Sequence, residues 1–373
     1  MFFVFGTIAI LMTFFPVYLQ QNLGYSKSAV GMIMAAGPVI SVLANPFWGF
    51  WSDRTQNIRL ILLILLAANL VAIQLIFQVE SYIWIYIGML VFFWFQTPTF
   101  SQSTTLILTM IEGTTHKFGV FRSWGSVGWA LAAVGAAPLL ALVGLGNLGY
   151  VYSAMLLITI LMCYKLPRVR YAARSSAGSN AGSYGSILKN RFFVAFLVIC
   201  VLVSIPNQLN GMFAGLYVTD LGGAEWMVGL AVFMSAFFEV PIFLLLDRYL
   251  KKEKKWMITI LVVVSLLYAL RWLLMSLATA AWQVVLIQSL QCITYGFFFY
   301  VGTNLISLIV PQEYRASGQA MYTIAWNGIS GIVAGFLGGA MLDGFGYGTT
   351  YAIGAILAAV SGVLFFMIRL WQK

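Results

Sequence analysis

Residues 22–31 read NLGYSKSAVG and residues 220–229 read DLGGAEWMVG, so one pattern returns after 198 positions. Two further landmarks return in the same order at offsets of 193 to 195. They are Pro46 with Asp53-Arg54, which returns as Pro241 with Asp247-Arg248, and Arg122 with Gly125, which returns as Arg315 with Gly318. Landmarks that keep their order at nearly one spacing are typical of a duplicated unit. The sequence therefore predicts two parallel repeats.

The composition places these repeats in a lipid bilayer. The chain has 373 residues, of which 62% are hydrophobic and 8% are charged, whereas soluble domains are roughly 45–50% apolar and about 25% charged. A helix needs roughly 20 apolar residues to cross the hydrocarbon, so twelve helices would occupy about 240 residues and leave short loops. These proportions exclude ordinary soluble enzymes, disordered chains and disulfide-stabilised secreted domains.

Apolar runs separated by polar residues define the expected helices. Six precede a polar Gly/Ser-rich stretch and six follow it: 1–20, 29–50, 59–78, 83–111, 121–143, 148–165, 192–218, 226–246, 257–278, 283–310, 318–341 and 347–368. We predict an all-α membrane protein with 12 transmembrane helices in two parallel-repeated six-helix halves, residues 1–166 and 192–373, joined by a linker at 167–191. Because the first helix begins at Met1 without a polar tail, we expect a start codon upstream.

Lys and Arg are distributed unevenly between the two sides of these helices. If successive loops alternate sides, one side receives 18 of the 20 basic residues, and the exceptions are Lys27 and Arg271. Asp and Glu divide five against four, with Glu239 inside a helix. Basic residues concentrate in cytoplasmic loops, so we predict a multi-pass cell-membrane protein with both termini and the linker in the cytoplasm. The net charge of +10 then faces lipid headgroups rather than nucleic acid.

Residues that would support catalysis or metal binding are scarce. Cys163, Cys200 and Cys292 lie far apart in apolar runs, and the one histidine, His116, has no neighbouring ligand. No disulfide, metal site or cofactor is therefore expected. A membrane enzyme would need a catalytic cluster, and a channel would not need repeated halves, so a carrier is favoured over both alternatives. We expect this carrier to act as a monomer.

Polar side chains inside the predicted helices are the candidate functional residues, because they are costly in hydrocarbon. Glu239 lies in the eighth helix and Arg271 in the ninth, and a direct pair between them would need tilted helices or a bridging water. Further polar groups are Asn207, Asn210, Gln288, Gln291, Asn327 and the run FQTPTFSQSTT at 95–105 in the fourth helix. One interpretation is a central cavity, around which the fourth helix would be broken at Pro98. The alternatives are hydrogen bonds between helices, and an Arg271 that reaches the membrane surface.

One loop resembles the signature of a transporter superfamily. NPFWGFWSDR at 45–54 lies between the second and third predicted helices and resembles the loop motif of the major facilitator superfamily. In this interpretation the second helix ends at Gly49, which lets two helices approach closely. Asp53 would cap a neighbouring helix and hold Arg54. Together with twelve helices and a central linker, the resemblance covers the whole chain.

A second stretch narrows the resemblance. FGVFRSWGSVGWAL at 118–131 resembles the fifth-helix motif of the lactose permease and phenylpropionate-permease-like group. The resemblance implies that Arg122 and Trp129 face a central cavity and bind substrate, one through forked hydrogen bonds and the other through stacking. By spacing alone, Arg122 could instead extend to the cytoplasmic surface.

The chain also departs from lactose permease. Gln291 and Thr294 stand where that permease keeps its histidine and its proton-carrying glutamate, and neither side chain can titrate. Its charged pairs are replaced by Asn210 with Gln288 and by Asn207 with Asn327. Galactoside recognition and that mode of proton coupling are therefore not expected here.

The resulting hypothesis is a secondary transporter that moves a small organic solute, a sugar, nucleoside or aromatic acid, by alternating access. Glu239 would carry the proton in a symport cycle, and an uncoupled facilitator or a proton-driven exporter of the same fold is the alternative. Two arginines against one glutamate favour an anionic solute. Substrate contacts are expected from Arg122, Trp129, Asn207, Asn210, Arg271, Gln288, Gln291 and Asn327.

Overall fold

The computed structural model describes residues 1–111, 114, 118–167, 189–239, 241–242, 246, 250, 253–311 and 314–371. Within these residues every regular element is a helix. This agrees with the apolar composition, because a helix satisfies its own backbone hydrogen bonds in lipid. Most of the predicted linker, His116 and the second Asp-Arg pair at 247–248 lie outside the described residues.

The N-terminal helices, the name used below for residues 2–165, match six predicted spans. They are α1 (Phe2–Gln21), α2 (Lys27–Thr55), α3 (Ile58–Ile76), α4 (Tyr82–Ile111), α5 (Phe118–Val143) and α6 (Leu148–Lys165). The starts of α2 and α3 are capped, because the side chains of Ser26 and Asn57 accept hydrogen bonds from backbone amides three residues later. Such caps satisfy donors that the first helical turn leaves free.

The C-terminal helices, residues 191–371, are less regular than predicted. They are α7 (Arg191–Asp220), α8 (Glu225–Phe237), α9 (Lys254–Ser276), α10 (Ala281–Gln288), α11 (Gln291–Ile309), α12 (Arg315–Thr323), α13 (Ser330–Val333) and α14 (Gly339–Trp371), with π-helical turns at Ile324–Ile329 and Ala334–Gly338. The tenth predicted helix is thus divided into α10 and α11.

Ten described segments are long and apolar enough to cross a membrane. One of them, 317–370, contains a break at Gly346, whose φ of +73° lies in the left-handed region that favours glycine. The segment therefore holds two helices, which correspond to the eleventh and twelfth predicted spans. A further apolar helix, α8, has 13 residues, and much of the predicted span beyond it, up to residue 246, lies outside the described residues.

The first π turn has a visible physical cause. The carbonyl oxygen of Trp326 accepts hydrogen bonds from the Ser204 hydroxyl at 2.6 Å and from the Gln208 amide at 2.9 Å. The Ser330 hydroxyl donates to the carbonyl of Ala325, five residues earlier, at 2.8 Å. Side chains that bind backbone carbonyls in this way disturb the regular α-helical ladder. The periodicity of the sequence carries no signal for such contacts.

Contacts between the N-terminal and C-terminal helices close one end of the bundle. This closed face carries the turns at 22–26, 144–147, 221–224 and 277–280. The opposite end, where α1 begins and α14 ends, is called the terminal face. Two carboxylates of the C-terminal helices hold the α1–α2 turn at the closed face.

Asp220 and Asp343 are these two carboxylates. Asp220 pairs with the Lys27 ammonium at 2.8 Å and accepts a hydrogen bond from the Gln20 amide at 3.1 Å. Asp343 accepts from the backbone amides of Lys27 and Ser28 at 3.1 and 2.8 Å and from the Ser28 hydroxyl at 2.5 Å. A carboxylate at a helix N-terminus is favourable, so Asp343 secures the start of α2.

Near the closed face, glycines allow neighbouring helices to pack closely. A Cβ atom at Gly335 would lie 2.6 Å from both the Ala35 Cβ and the Gly31 carbonyl oxygen of α2. A Cβ atom at Gly229 of α8 would lie 2.7 Å from the carbonyl oxygen of Ala133 in α5. Real Cβ atoms do not come this close, so the backbones can approach only because these side chains are absent.

We predict that Gly335→Ala lowers the thermal stability of the purified protein by several degrees. Overpacking a close contact costs on the order of 1–3 kcal/mol, and here the added methyl group would meet backbone atoms. The matched control is Gly135→Ala in α5, where an added Cβ meets open space. Equal melting temperatures for the two variants, measured in the same detergent, would contradict the prediction.

Candidate functional site

A cavity of about 370 Å³ lies between the N-terminal and the C-terminal helices. Residues of α1 and α5 form one wall, and residues of α7, α8, α10 and α11 with the first π turn form the other. All residues nominated from the sequence for substrate or proton binding line it except Arg271: Arg122, Trp129, Asn207, Asn210, Glu239, Gln288, Gln291 and Asn327. The structure thus brings these side chains together, while their roles stay predictions.

Arg122 lies one turn into α5, near the terminal face. Its guanidinium lies over the ring of Phe5, 4.6 Å from the ring centroid, and donates to the Ser126 hydroxyl at 3.4 Å. The side chain is exposed and forms part of the cavity lining. Arg122 therefore points into the cavity rather than only toward the membrane surface. A guanidinium in this position can donate forked hydrogen bonds to a solute.

Aromatic rings cover part of the cavity wall. Trp129 lies two turns beyond Arg122 on α5, and Tyr295 and Trp326 line the opposite wall with ring centroids 5.9 Å apart. The sequence reasoning missed Trp326 and also Gln208, which lines the cavity too. Each directly neighbours a nominated amide, and that adjacency is the signal that could have identified them.

The cavity amides also bond to one another. Asn210 and Gln288 form a reciprocal pair, with Asn210 Nδ2 donating to Gln288 Oε1 at 3.1 Å and Gln288 Nε2 donating to Asn210 Oδ1 at 3.0 Å. Both interpretations of these residues therefore apply, since they connect helices and line the cavity.

Asn207 and Asn327, the other two residues that replace a charged pair, each bond to a different partner. Asn327 accepts a hydrogen bond from Gln208 Nε2 at 3.0 Å rather than from Asn207. Asn207 instead accepts from the Tyr268 hydroxyl at 3.4 Å. The reason is that Gln208 has the longer side chain, which reaches both the Asn327 amide and the carbonyl of the preceding Trp326.

Arg271 does not line the cavity. Its side chain is fully buried, and its guanidinium donates to Gln288 Oε1 at 2.7 Å, to Thr294 Oγ1 at 3.2 Å and to Gln291 Oε1. Two of these three partners line the cavity, so Arg271 lies behind them. The expectation that Arg271 contacts solute, or reaches the membrane surface, is therefore corrected. Amide and hydroxyl oxygens surround its charge instead.

Glu239 lies just beyond the end of α8 and lines the cavity. Among the described residues, the only ion pair with atoms within 4.0 Å is that of Lys27 and Asp220. Glu239 therefore makes no direct ion pair with Arg271 in this conformation. With Arg271 withdrawn, the charged groups of the lining are one arginine and one glutamate. The positive excess expected from the sequence is thus not found among the described residues of the lining.

The fourth helix differs from its expected role. Helix α4 does not break at Pro98. It is one helix of 30 residues, Tyr82–Ile111, with Pro98 inside it. None of its residues lines the cavity. The hydroxyls of Ser101, Ser103 and Thr104 donate to backbone carbonyls three or four residues earlier. Because these hydroxyls are satisfied within the helix, they do not need a water-filled space.

The Gly49 motif also differs from expectation in this conformation. Helix α2 continues past Gly49 to Thr55, and an added Cβ at Gly49 would meet no atom within 4 Å. Asp53 and Arg54 are exposed, and the Arg54 guanidinium lies 5.9 Å from the centroid of a Trp51 ring. The expected close approach of two helices at Gly49 is absent here, because the closing contacts lie at the opposite face.

Comparison with known proteins places this architecture in a family. The model of the MFS_1 like family matches residues 1–353. Maltose permease of Geobacillus stearothermophilus is 26% identical over 98% of this chain and 91% of its own length. The putative nucleoside transporter YegT of Escherichia coli (strain K12) is 19% identical over 95% of this chain and 89% of its own length.

A solved structure agrees with the fold. The nucleoside transporter NupG superposes with a TM-score of 0.83 at 19% sequence identity, over 100% of this chain and 97% of that chain. The family match over residues 1–353 confirms the prediction of a major facilitator superfamily transporter rather than an enzyme. The chain belongs to the MFS_1 like family and is a secondary transporter of small organic solutes.

Proposed function

We propose that this protein carries a neutral, polyhydroxylated ring solute, a sugar or a nucleoside, together with a proton across the cell membrane. The observation that carries the proposal is the composition of the cavity, where amides and aromatic rings surround one arginine and one glutamate. Such a lining offers hydrogen bonds and ring faces without an excess of charge. The solutes named for the relatives, maltose and nucleosides, have this chemistry.

The proposal assigns twelve spans in two six-helix halves and a cytoplasmic terminal face. The distribution of Lys and Arg supports this orientation, and the described helix breaks are compatible with twelve spans. In this orientation the closed face is extracytoplasmic, and the conformation gives access to the cavity from the cytoplasm. Outward access would require the Asp220 and Asp343 contacts to open.

Charge balance argues against an anionic solute. The sequence alone favoured an anion because two arginines faced one glutamate. With Arg271 held behind Gln288 and Gln291, Arg122 and Glu239 remain in the cavity lining as groups of opposite charge. While Glu239 is ionised, the described lining has no net charge, and it then neither requires nor repays the desolvation of a carboxylate. A volume of about 370 Å³ suits a solute of one or two rings.

The residues nominated from the sequence receive the following roles in this proposal. Arg122 donates forked hydrogen bonds to solute oxygens, and Trp129 stacks on the ring. The amides Asn207, Asn210, Gln288, Gln291 and Asn327 bind further hydroxyls. Arg271 acts indirectly, because it fixes the two glutamines.

The terminal face closes in the other half of the cycle. We assign this step to Gly49, Asp53 and Arg54, where open space beside the glycine leaves room for a neighbouring helix.

Glu239 carries the proton, because it is the acid in the described cavity lining. Its charge would respond to solvent exposure and to the neighbouring arginines as the helices move.

We predict that the protein in proteoliposomes shows counterflow with maltose or uridine and not with benzoate. Acceleration of labelled solute entry by unlabelled solute inside the vesicles is a property of carriers. Exchange of benzoate alone would contradict the proposed solute class while leaving a carrier in place.

Arg122→Gln is expected to weaken solute affinity roughly 10- to 100-fold, because charge-assisted hydrogen bonds contribute about 1.5–3 kcal/mol. Expression should stay normal, since the side chain is exposed to the cavity. The control is Arg59→Gln, a half-buried arginine that donates to the Tyr164 carbonyl outside the cavity. Affinity is measured by isothermal titration, and wild-type affinity in Arg122→Gln would remove this residue from the site.

Glu239→Gln is expected to abolish uphill uptake driven by a pH gradient while leaving solute exchange intact. A permanently neutral amide cannot release a proton, but it can keep a hydrogen bond to solute. The control is Glu225→Gln in the first turn of α8. Undiminished pH-driven accumulation in Glu239→Gln would indicate a facilitator or another coupling ion.

A further inference from the structure

A column of stacked aromatic rings joins the closed face to the cavity. Its centroid separations and interplanar angles are 4.1 Å and 7° for Tyr347 and Tyr217, 5.7 Å and 21° for Tyr217 and Tyr351, 5.9 Å and 23° for Tyr351 and Trp272, and 5.8 Å and 26° for Trp272 and Tyr268. The last three residues are almost completely buried. These five residues are called the ring column.

The outer end of the ring column belongs to the closed face. The Tyr347 hydroxyl donates to Asp220 Oδ2 at 3.1 Å, the carboxylate oxygen that also pairs with Lys27. The Lys27 ammonium lies 4.5 Å from the centroid of the Tyr347 ring. Lys27 belongs to the N-terminal helices, so the position of Tyr347 depends on contact between the two groups of helices.

The inner end of the ring column reaches two cavity amides. The Tyr351 hydroxyl donates to Asn210 Oδ1 at 3.2 Å, and the Tyr268 hydroxyl donates to Asn207 Oδ1 at 3.4 Å. Both asparagines line the cavity. The column therefore has a charged inter-helix contact at one end and solute-facing amides at the other.

Chain connectivity strengthens this link. Tyr347 and Tyr351 lie one turn apart on the same face of α14, just after the break at Gly346. On α7, Asp220 is the last residue and Tyr217 precedes it by three positions. Helix α7 thus carries Asp220 and both asparagines, whereas α14 carries the two tyrosines that contact them, so a shift of either helix changes the contacts at both ends.

We propose that Tyr351 and Tyr268 are positioning residues for Asn210 and Asn207, and that the ring column couples closure of the closed face to the arrangement of the cavity amides. Closure seats Tyr347 between Asp220 and Lys27, and the stacked rings hold the two hydroxyls against the asparagines. By thermodynamic linkage, a solute that binds these positioned amides favours closure by the same factor. The solute part of this inference rests on the proposed function.

The closed-face part can be tested without solute. The full-length protein in lipid nanodiscs is spin-labelled at Ser81→Cys and Thr349→Cys, two exposed sites on the N-terminal and C-terminal helices. The three native cysteines are buried and stay in place. Electron–electron distance measurements then give the ratio of closed to open molecules.

Tyr351→Phe keeps the ring and removes the hydroxyl. We expect it to lower the closed-to-open ratio roughly 2- to 10-fold, the range for loss of one hydrogen bond. The same change in a Lys27→Met background should have little further effect, because the outer end is then already released. The control is Tyr322→Phe, a buried, stacked tyrosine of the same helices whose hydroxyl has no hydrogen-bond partner. It should leave the ratio unchanged.

Two results would overturn the coupling: an unchanged ratio in Tyr351→Phe, or an equal effect of this change with and without Lys27→Met. A second measurement titrates maltose and uridine into the wild type, Tyr351→Phe, Lys27→Met and the double variant. Tyr351→Phe should weaken affinity less in the Lys27→Met background than alone. If neither solute binds the wild type, the proposed solute class fails, while the solute-free ratios still decide the coupling.

Discussion

Close packing of helix backbones at one end of the bundle is the constraint on which the remaining architecture depends. Where Gly335 meets Gly31 and Ala35, a single methyl group would push the helices apart. Because the N-terminal and C-terminal helices touch tightly at this end, the space between them is left at the middle and toward the terminal face. The cavity is thus a consequence of contact at one end, and the Asp220 and Asp343 hydrogen bonds add polar specificity to it.

The sequence predicted the helical fold and most of the amide and charged side chains that line the cavity, for a physical reason. Polar groups are costly in hydrocarbon, so Asn210, Gln288 and Glu239 stand out from their apolar surroundings and turn toward the same space. The hydroxyls of the fourth helix mislead because a hydroxyl can be satisfied by its own helix. Long-range contacts also escape periodicity: the hydrogen bonds from Ser204 and Gln208 that produce the first π turn join residues about 120 positions apart.

Arg271 shows how a buried charge is stabilised here without an acid beside it. Three oxygens of neutral side chains accept from its guanidinium, which replaces part of the hydration that burial removes. Sequence reasoning recognised the charge but not its depth, because helical rise gives the height of a residue along a helix and not the direction in which it points. Its position behind the glutamines removes one positive charge from the described cavity lining, and the proposal of a neutral solute rests on this.

The hydrogen bonds around Gln288 have a consequence for selectivity. Its oxygen accepts from both Arg271 and Asn210, and the Asn210 oxygen accepts from both Gln288 and Tyr351. An amide oxygen has two lone pairs, so both are saturated, whereas each nitrogen has used one of its two N–H groups in these bonds. If these two amides bind solute as proposed, they would recognise its lone pairs rather than its hydroxyl protons. A methoxy group in place of a hydroxyl would then keep an acceptor, but a deoxy position would leave a buried N–H without one.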